Sequence, residues 1–461
     1  MHGHVPALRG QFQRNGAAQA ARAAGDEGDA AGGGLGRGGS GCRLGGSGCR
    51  GIGGGHCYNR GMQKAASLPL PPADAQAASD TLTARIGESI DAAGGWIGFD
   101  RYMALALYAP GLGYYSGGSA KFGRDARDGS DFITAPELSP FFARTLARQF
   151  APLVAQGLPR MMEFGAGTGR LAADLLLGLE QEGQLPQEYA IVELSGELRA
   201  RQQETLAQRA PHLAARVRWL DALPDSFEGV IVGNEVLDAM PVQLYARTGG
   251  RWHERGVARA ETGAATAFRF EDRVLAEAEV PPMLRDIAGD HDVVTETHAE
   301  AEGFTRAVGA MLARGTALFI DYGFPAAEYY HPQRAGGTLM CHYRHHAHPD
   351  PFLYPGLQDI TAHVNFSGIA AAAVETGLTV SGFASQARFL MNAGITELLM
   401  ALDPSDARTF LPQANAVQKL LSEAEMGELF KVIALTRGLD DGTDQSAPLA
   451  GFARGDRCHT L

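Results

Sequence analysis

Residues 161–176 read MMEFGAGTGRLAADLL. An apolar run carries a carboxylate at Glu163, three glycines follow within five residues (Gly165, Gly167, Gly169), and a helical spacing of apolar residues begins at Leu171. Strand, glycine turn and helix in that order predict the opening unit of an open α/β sheet, whose ligands bind outside the carboxyl ends of the strands. Two common ligands do not suit this turn. The dinucleotide fingerprint G-x-G-x-x-G needs a third glycine where this chain has Arg170, which disfavours an oxidoreductase working on NAD. A phosphate-binding loop needs Gly-Lys-Ser/Thr, and none follows. A tight turn that uses glycine only for its backbone angles stays open as an alternative.

The pattern repeats on both sides. RMMEF, YAIVEL, VRWL, GVIVGNE and TALFIDYG read as strands separated by helical segments such as RLAADLLLGLEQEG, SGELRARQQETLAQRA and AEGFTRAVGAMLARG. Such alternation predicts crossover units and a mostly parallel sheet covered on both faces. Three later segments, DITAHVNF, LTVSGFAS and LFKVIALTR, read as further strands, with GIAAAAVETG and ARFLMNAGITELLMALD as helices. Alternating stretches after Val242 predict an antiparallel insertion over about 242–285, and a second insertion is expected over about 325–358. Ahead of the sheet, residues 79–155 read as helices around Gly- and Tyr-rich loops (GLGYYSG and KFGRDARDGSDFIT), a lid or plain connections. The sheet-bearing domain is expected over 156–440, with a flexible tail at 441–461.

The totals agree with a globular enzyme. The chain has 461 residues, 45% hydrophobic and 20% charged, with no apolar run long enough for a membrane span. A net charge of −12 argues against a nucleic-acid binder. Five cysteines without metal spacing imply a reducing compartment and no metal centre. The cluster His342, His345, His346 and His348 reads as a substrate-facing or solvated loop. The first 61 residues hold 20 of the 60 glycines and a formal charge of +4. Such a head buries too little surface to fold, and residues 1–78 are expected to be disordered. Three readings compete: a natural tail, an organellar transit peptide, and an over-long reading frame whose true start is Met62. The third is preferred.

Carboxylates recur at successive strand ends. Glu163 precedes the glycines, Glu193 lies 24 residues after Gly169, and Asp221 follows VRWL. Glu193 suits a pair of ribose hydroxyls and Asp221 an adenine amino group. The alternatives are a carboxylate partner for a helix N-terminus at Glu163 and a helix cap at Glu193.

EFGAGTGRL followed by VEL resembles the cofactor signature of class I S-adenosylmethionine methyltransferases. More narrowly, GSDFITAPELSPFF, GNEVLDAMPV, FIDYGF, AGGTLMCHYRHHAHPDPFLYPGLQDITAHVNF and MGELFKVIALTR resemble the MidA-like family, over roughly residues 80–440. That resemblance implies a Rossmann-like α/β fold with a seven-stranded sheet. It also implies S-adenosyl-L-methionine as cofactor, lined by Gly165, Gly167, Thr168 and Gly169, and a protein arginine as methyl acceptor. Mitochondrial members are assembly factors that methylate a subunit of respiratory complex I. The implied compartment is the bacterial cytoplasm, or the mitochondrial matrix for a eukaryotic chain. Oligomeric state is left open.

A guanidinium is charged and a poor nucleophile, so acids must localise its charge. Asn234, Glu235 and Asp238 stand at the end of the fourth strand for that purpose, with Glu235 engaging the acceptor and Asp238 supporting it. The alternative is that Asp238 caps a helix and Glu235 bonds backbone. Asp321 and Tyr322 end the fifth strand. Asp359, His363 and Asn365 at even spacings are expected on one strand face. Asp321, Tyr322, Asp359 and His363 are the expected substrate contacts, with His363 a proton acceptor or else a packed histidine. Two rivals share this fold: a small-molecule methyltransferase and a non-catalytic assembly chaperone.

Overall fold

The computed structural model describes residues 68–117, 134–439 and 449–461, apart from residues 262 and 265. The head (1–61) and all of the KFGRDARDGSDFIT loop but Thr134 lie outside the described residues. In chain order the principal elements are α1 (Ala73–Ala92), β1 (Ile97–Gly98), α2 (Phe99–Tyr108), α3 (Ala135–Leu138), α4 (Pro140–Ala155), β2 (Arg160–Phe164), α5 (Arg170–Gln181), β3 (Glu188–Val192), α6 (Gly196–Arg209), β4 (Val217–Leu220) and β5 (Phe227–Asn234). There follow β6 (Gln243–Thr248), β7 (Arg251–Arg259), β8 (Phe268–Val274), α7 (Pro282–Arg285), β9 (Val293–Thr297), α8 (Ala299–Met311), β10 (Leu312–Phe324), α9 (Ala326–Tyr329), β11 (Met340–Tyr343), β12 (His346–His348), β13 (Asp359–Thr361) and β14 (Val364–Asn365). The chain then continues through α10 (Phe366–Glu375), β15 (Thr379–Ser385), α11 (Gln386–Asn392), α12 (Ile395–Met400), α13 (Ala407–Leu421) and β16 (Phe430–Arg437).

The main sheet runs β15-β16-β10-β5-β2-β3-β4, seven strands as expected, with two-residue β14 added beside β10. The pairs from β10 to β4 are all parallel, and β16 is antiparallel to both its neighbours. The order reverses at β2, which lies between β3 and β5, so a crevice opens there at the carboxyl ends of the strands. The helices cover both faces. On α5, Leu171, Leu175, Leu176 and Leu179 are buried at helical spacing, and each contributes about 1.5–3 kcal/mol of apolar burial. One core joins α4, α5 and α11–α13 to the sheet, and a second joins α8 and α10 to its other face.

The first insertion forms a second sheet, β1-β7-β6-β9 with β8 beside β7. It runs on to Thr297, twelve residues past its expected end, because β9 pairs antiparallel with β6. Helices α1 and α2 pack on it through Leu82, Ile86, Phe99 and Tyr102. The second insertion is the hairpin β11–β12 with β13 alongside. Its turn is made by Arg344 and His345, both at positive φ (48° and 63°), as the twist of a tight hairpin demands.

Three expectations need correction. The head expected as disordered to residue 78 overlaps α1, which begins at Ala73. The strand expected through DITAHVNF is broken: Asp359–Thr361 joins the small sheet and Val364–Asn365 joins the main one. Asn365 accepts from the Gly368 amide at 3.4 Å and caps α10, so it does not share a face with Asp359. Residues 449–461, expected as a loose tail, pack down. Phe452 packs against Phe389 with the rings tilted by 59°, and Arg457 pairs with Glu328 and Glu428 at 2.8 and 3.1 Å. Among the described residues no helix is long and apolar enough to cross a membrane.

Candidate active site

A cavity of about 1780 Å³ fills the crevice at the sheet's switch point and extends beneath α2 and the second insertion. That exceeds the usual range for a single small-molecule ligand and leaves room for two reactants.

At its inner end the glycine turn follows β2. Gly165, Gly167 and Gly169 all have positive φ (65°, 51° and 81°). Gly165 and Gly169 also lack room: an added Cβ would meet Val236 at 2.8 Å and the Gln202 Cα at 2.9 Å. At Gly167 no described residue lies within 4 Å of that position. Two of the three glycines are thus explained by packing, and the third presents bare backbone to the cavity. Glu163 is buried, accepts from the Tyr189 hydroxyl at 2.6 Å, and is pushed up to about 7 by burial, with Tyr189 pulling the other way. Glu193, at the end of β3, is held by the Ser195 amide (2.8 Å) and Gln202 Nε2 (3.1 Å), and burial raises its carboxyl above the ordinary range. Thr168 Oγ1 donates to Glu137 Oε1 at 2.5 Å. Asp221 reaches the cavity wall, but its Oδ1 is 2.5 Å from Arg199 Nη2 and its side chain is 75% exposed.

Past the switch point lies an acidic pit. Asn234 ends β5, and Glu235 follows it at φ 55°, an unusual angle for a residue with a side chain. The strain is held from two sides. The Glu235 amide donates to the Ile320 carbonyl at 2.8 Å, and Asn234 Nδ2 donates to the Glu235 carboxylate at 2.9 Å. Burial, and then Asp238 beside it, push Glu235 up to about 8. Asp238 is raised by burial and drawn back by a hydrogen bond from the Tyr322 hydroxyl. Asn234 Oδ1 and Asp238 Oδ1 are buried with no hydrogen-bond partner among the described residues. Asp359 and Tyr115 close the pit, the Tyr115 hydroxyl donating to Asp359 at 2.9 Å. Tyr115 stacks on Tyr108, whose hydroxyl bonds the Ala239 carbonyl at 2.8 Å. The segment expected as a lid, GLGYYSG, therefore supplies a wall of the pit.

His363 borders the cavity with its ring 5.2 Å from those of Tyr322 and Phe324. Burial, then Arg334 and Lys431, lower it to about 4, so it stands neutral, and its Nδ1 has no partner among the described residues. Asp321, expected as a substrate contact, is not among the residues that line the cavity. It points away from the cavity, and its Oδ2 accepts from the amides of Val236, Leu237 and Asp238 at 3.1, 2.8 and 3.3 Å. Alternation along β10 explains this: Tyr322 faces the cavity, so its neighbour Asp321 faces the loop. Among the described residues Asp238 caps no helix, whereas the Glu235 carboxylate accepts from the Ala135 amide at the start of α3, a backbone bond of the kind the alternative held. Sequence reasoning missed Glu137, Tyr108, Tyr115 and Arg334. Glu137 lies within TAPEL and Tyr115 within GLGYYSG, both singled out for other reasons, and Tyr108 is the last residue of α2.

Comparison with known proteins bears on this geometry. A family model described as S-adenosyl-L-methionine-dependent methyltransferase matches residues 142–384. A COG1565 superfamily protein from Burkholderia thailandensis, crystallised with S-adenosyl-homocysteine, aligns at 64% identity and a TM-score of 0.82, covering 86% of this chain and 100% of its own. "Protein arginine methyltransferase NDUFAF7, mitochondrial" of Mus musculus is 28% identical over 417 residues, 83% of this chain and 88% of its own length. The homologue of that protein in Caenorhabditis elegans is 26% identical over 388 residues, 76% and 86% of the two chains. The match over more than half of its length shows that the chain belongs to the family of S-adenosyl-L-methionine-dependent methyltransferases and works with that cofactor.

Proposed function

We propose that the acceptor is an arginine side chain of a protein. The observation that carries this is the pair of orphaned buried oxygens, Asn234 Oδ1 and Asp238 Oδ1, beside the Glu235 carboxylate. Unpaired buried acceptors are costly, so the pit calls for a ligand rich in N–H donors. A guanidinium has five, is planar and is always charged. A lysine ammonium offers donors too, but it lacks the planar fork that several acceptors in one pit can share.

The inner wall fits the cofactor. Bare backbone at Gly167 admits close approach of its amino-acid part, and the two carboxylates suit its ammonium and ribose. In this reading Gly165, Gly167, Thr168 and Gly169 form the bed, Glu163 faces the ammonium, and Glu193 holds the ribose hydroxyls. Asp221 is left to orient Arg199. When bound, S-adenosyl-L-methionine supplies a methyl group on a sulfonium, open to displacement by a nitrogen. Glu235 and Asp238 localise the acceptor's positive charge on the nitrogens facing them, leaving the remaining nitrogen electron-rich. Glu235 takes the proton that the guanidinium sheds, from the nitrogen facing it, as the new N–C bond forms. Tyr322 and Asn234 fix the two carboxylates, and the tyrosine wall of Tyr108 and Tyr115 excludes water.

The arginine acceptor agrees with the names of the animal relatives. The family resemblance extends the reading to a subunit of respiratory complex I. Their mitochondrial designation agrees with the matrix for a eukaryotic chain, and a bacterial one would act in the cytoplasm. Incubation with methyl-labelled cofactor and a cell extract, followed by acid hydrolysis, tests the acceptor. Label is expected in methylarginine and absent with Glu235→Gln. Label confined to small molecules or to other amino acids overturns the reading.

A further inference from the structure

The cavity has a second pole of opposite charge. Arg334, in the loop between α9 and β11, lines it and lays its guanidinium over the Phe324 ring at 3.7 Å from the centroid. Its Nε donates to the Glu328 carbonyl at 2.9 Å, which fixes the plane of the group. The Glu328 carboxylate is itself taken by Arg457 at 2.8 Å. Among the described residues Arg334 has no carboxylate in ion-pair contact. Lys431, also near the Phe324 ring at 5.7 Å, is directed to Glu428 instead. From Arg334 a run of ring contacts leads back to the pit: Phe324 to His363, His363 to Tyr322, each at 5.2 Å, and Tyr322 to Asp238 through its hydroxyl.

We infer that Arg334 is a carboxylate subsite that selects acceptor arginines with an acidic residue next to them in the chain. The inference rests on the reading of the pit as a guanidinium site. An oriented, half-buried guanidinium without a carboxylate partner is built to receive two parallel hydrogen bonds from a carboxylate. Its stacking on Phe324 holds it in place before the ligand arrives, so little side-chain freedom is lost on binding. An acidic pit and a cationic station in one cavity match a peptide carrying both charges in the same order. A peptide with a basic neighbour would set like charges together at Arg334, which adds rejection to attraction.

The test is calorimetric titration of the full chain, saturated with S-adenosyl-homocysteine, with blocked dipeptides. Acetyl-Arg-Glu-amide and acetyl-Glu-Arg-amide are compared with their glutamine counterparts, with citrulline in place of arginine, and with acetyl-arginine bearing a free carboxyl end. One acidic dipeptide is expected to bind about tenfold tighter than its glutamine counterpart, as for a charge-assisted pair. Arg334→Gln is expected to erase that difference. Equal binding of acidic and neutral peptides overturns the subsite, as does a preference that survives in Arg334→Gln. A tenfold loss of S-adenosyl-homocysteine affinity in that variant would assign Arg334 to the cofactor instead. Preference for the free carboxyl end alone would assign it to chain termini. Arginine peptides that bind no better than citrulline ones would overturn the guanidinium reading itself, and the subsite with it.

Discussion

The Asp321 Oδ2 atom lies 2.8 Å from the amide nitrogen of Leu237, a contact across 84 positions of sequence. With the amides of Val236 and Asp238 it makes one carboxylate the anchor of the loop that carries Glu235 and Asp238. Burial, and then Asp238, push this carboxyl up, and the amides pull it back, so its hydrogen bonds are held against a desolvation cost. Asp321→Asn replaces one acceptor oxygen with a donor that faces donors. We expect a loss of about 2 kcal/mol in urea unfolding. Methyl transfer should fall at least tenfold, while S-adenosyl-homocysteine affinity changes little, because the anchored loop serves the acceptor. An equal fall in both would show that the loop also shapes the cofactor bed.

The glycines separate by what an added side chain would meet. At Gly167 the space is open and only the positive φ is strained, a cost of about 1–2 kcal/mol for a side chain. Gly167→Val should therefore stay folded and lose S-adenosyl-homocysteine binding in calorimetry. At Gly315 a Cβ would stand 1.9 Å from the Gly229 carbonyl oxygen, its partner in the β5–β10 pairing. Gly315→Ala is expected to fail at folding, seen as a lost cooperative thermal transition. A folded Gly167→Val that still binds the ligand would remove this turn from the cofactor site.

The sheet was legible because its strands are apolar runs between helical periods, and Phe227–Asn234 and Glu188–Val192 sit where GVIVGNE and YAIVEL fall. The glycine turn and the pit residues Asn234, Glu235 and Asp238 were legible because each lies at a strand's carboxyl end. Side-chain direction was not. Asp321 and Tyr322 are adjacent on one strand, and which of them faces the cavity depends on the pleat, not on residue type. The break between Thr361 and Val364 was hidden because both halves read as strand, and the chain merely changes sheets. Tyr115 meets Asp359 across 244 residues, a pairing for which local pattern holds no signal.

If Glu163 faces the cofactor's ammonium, as proposed, cofactor affinity depends on pH. Its carboxyl is raised to about 7 by burial, so below that value it is mostly protonated and carries no charge to face an ammonium. Binding of a cationic amino group favours the ionised form. Affinity for S-adenosyl-homocysteine should rise as pH increases from 6 to 8, by several-fold, and level off above. Glu163→Gln should bind weakly with a flat profile over the same range. A wild-type profile that is equally flat would mean that Glu163 serves Tyr189 alone.

Glu235 makes folding depend on pH in the opposite sense to a salt-bridged acid. Its carboxyl stands at about 8 in the fold against an ordinary value of 4.5, so the folded chain holds a proton that the unfolded chain has released. Folded protein therefore binds more protons between those values, and stability falls as pH rises through that window. The deficit is complete above about 8 and absent below about 4.5. Glu235→Gln carries no ionisable group, so it should equal the wild type in stability near pH 5 and exceed it by about 1–3 kcal/mol at pH 9. Paired denaturant titrations at the two values measure this directly. The same cost is available to the acceptor: a guanidinium that enters the pit favours the charged carboxylate and relieves the strain of its burial. Binding of an arginine peptide near pH 7 should then release protons, seen as a buffer-dependent heat. A heat that is the same in buffers of different ionisation enthalpy would mean that Glu235 is already ionised before the acceptor arrives.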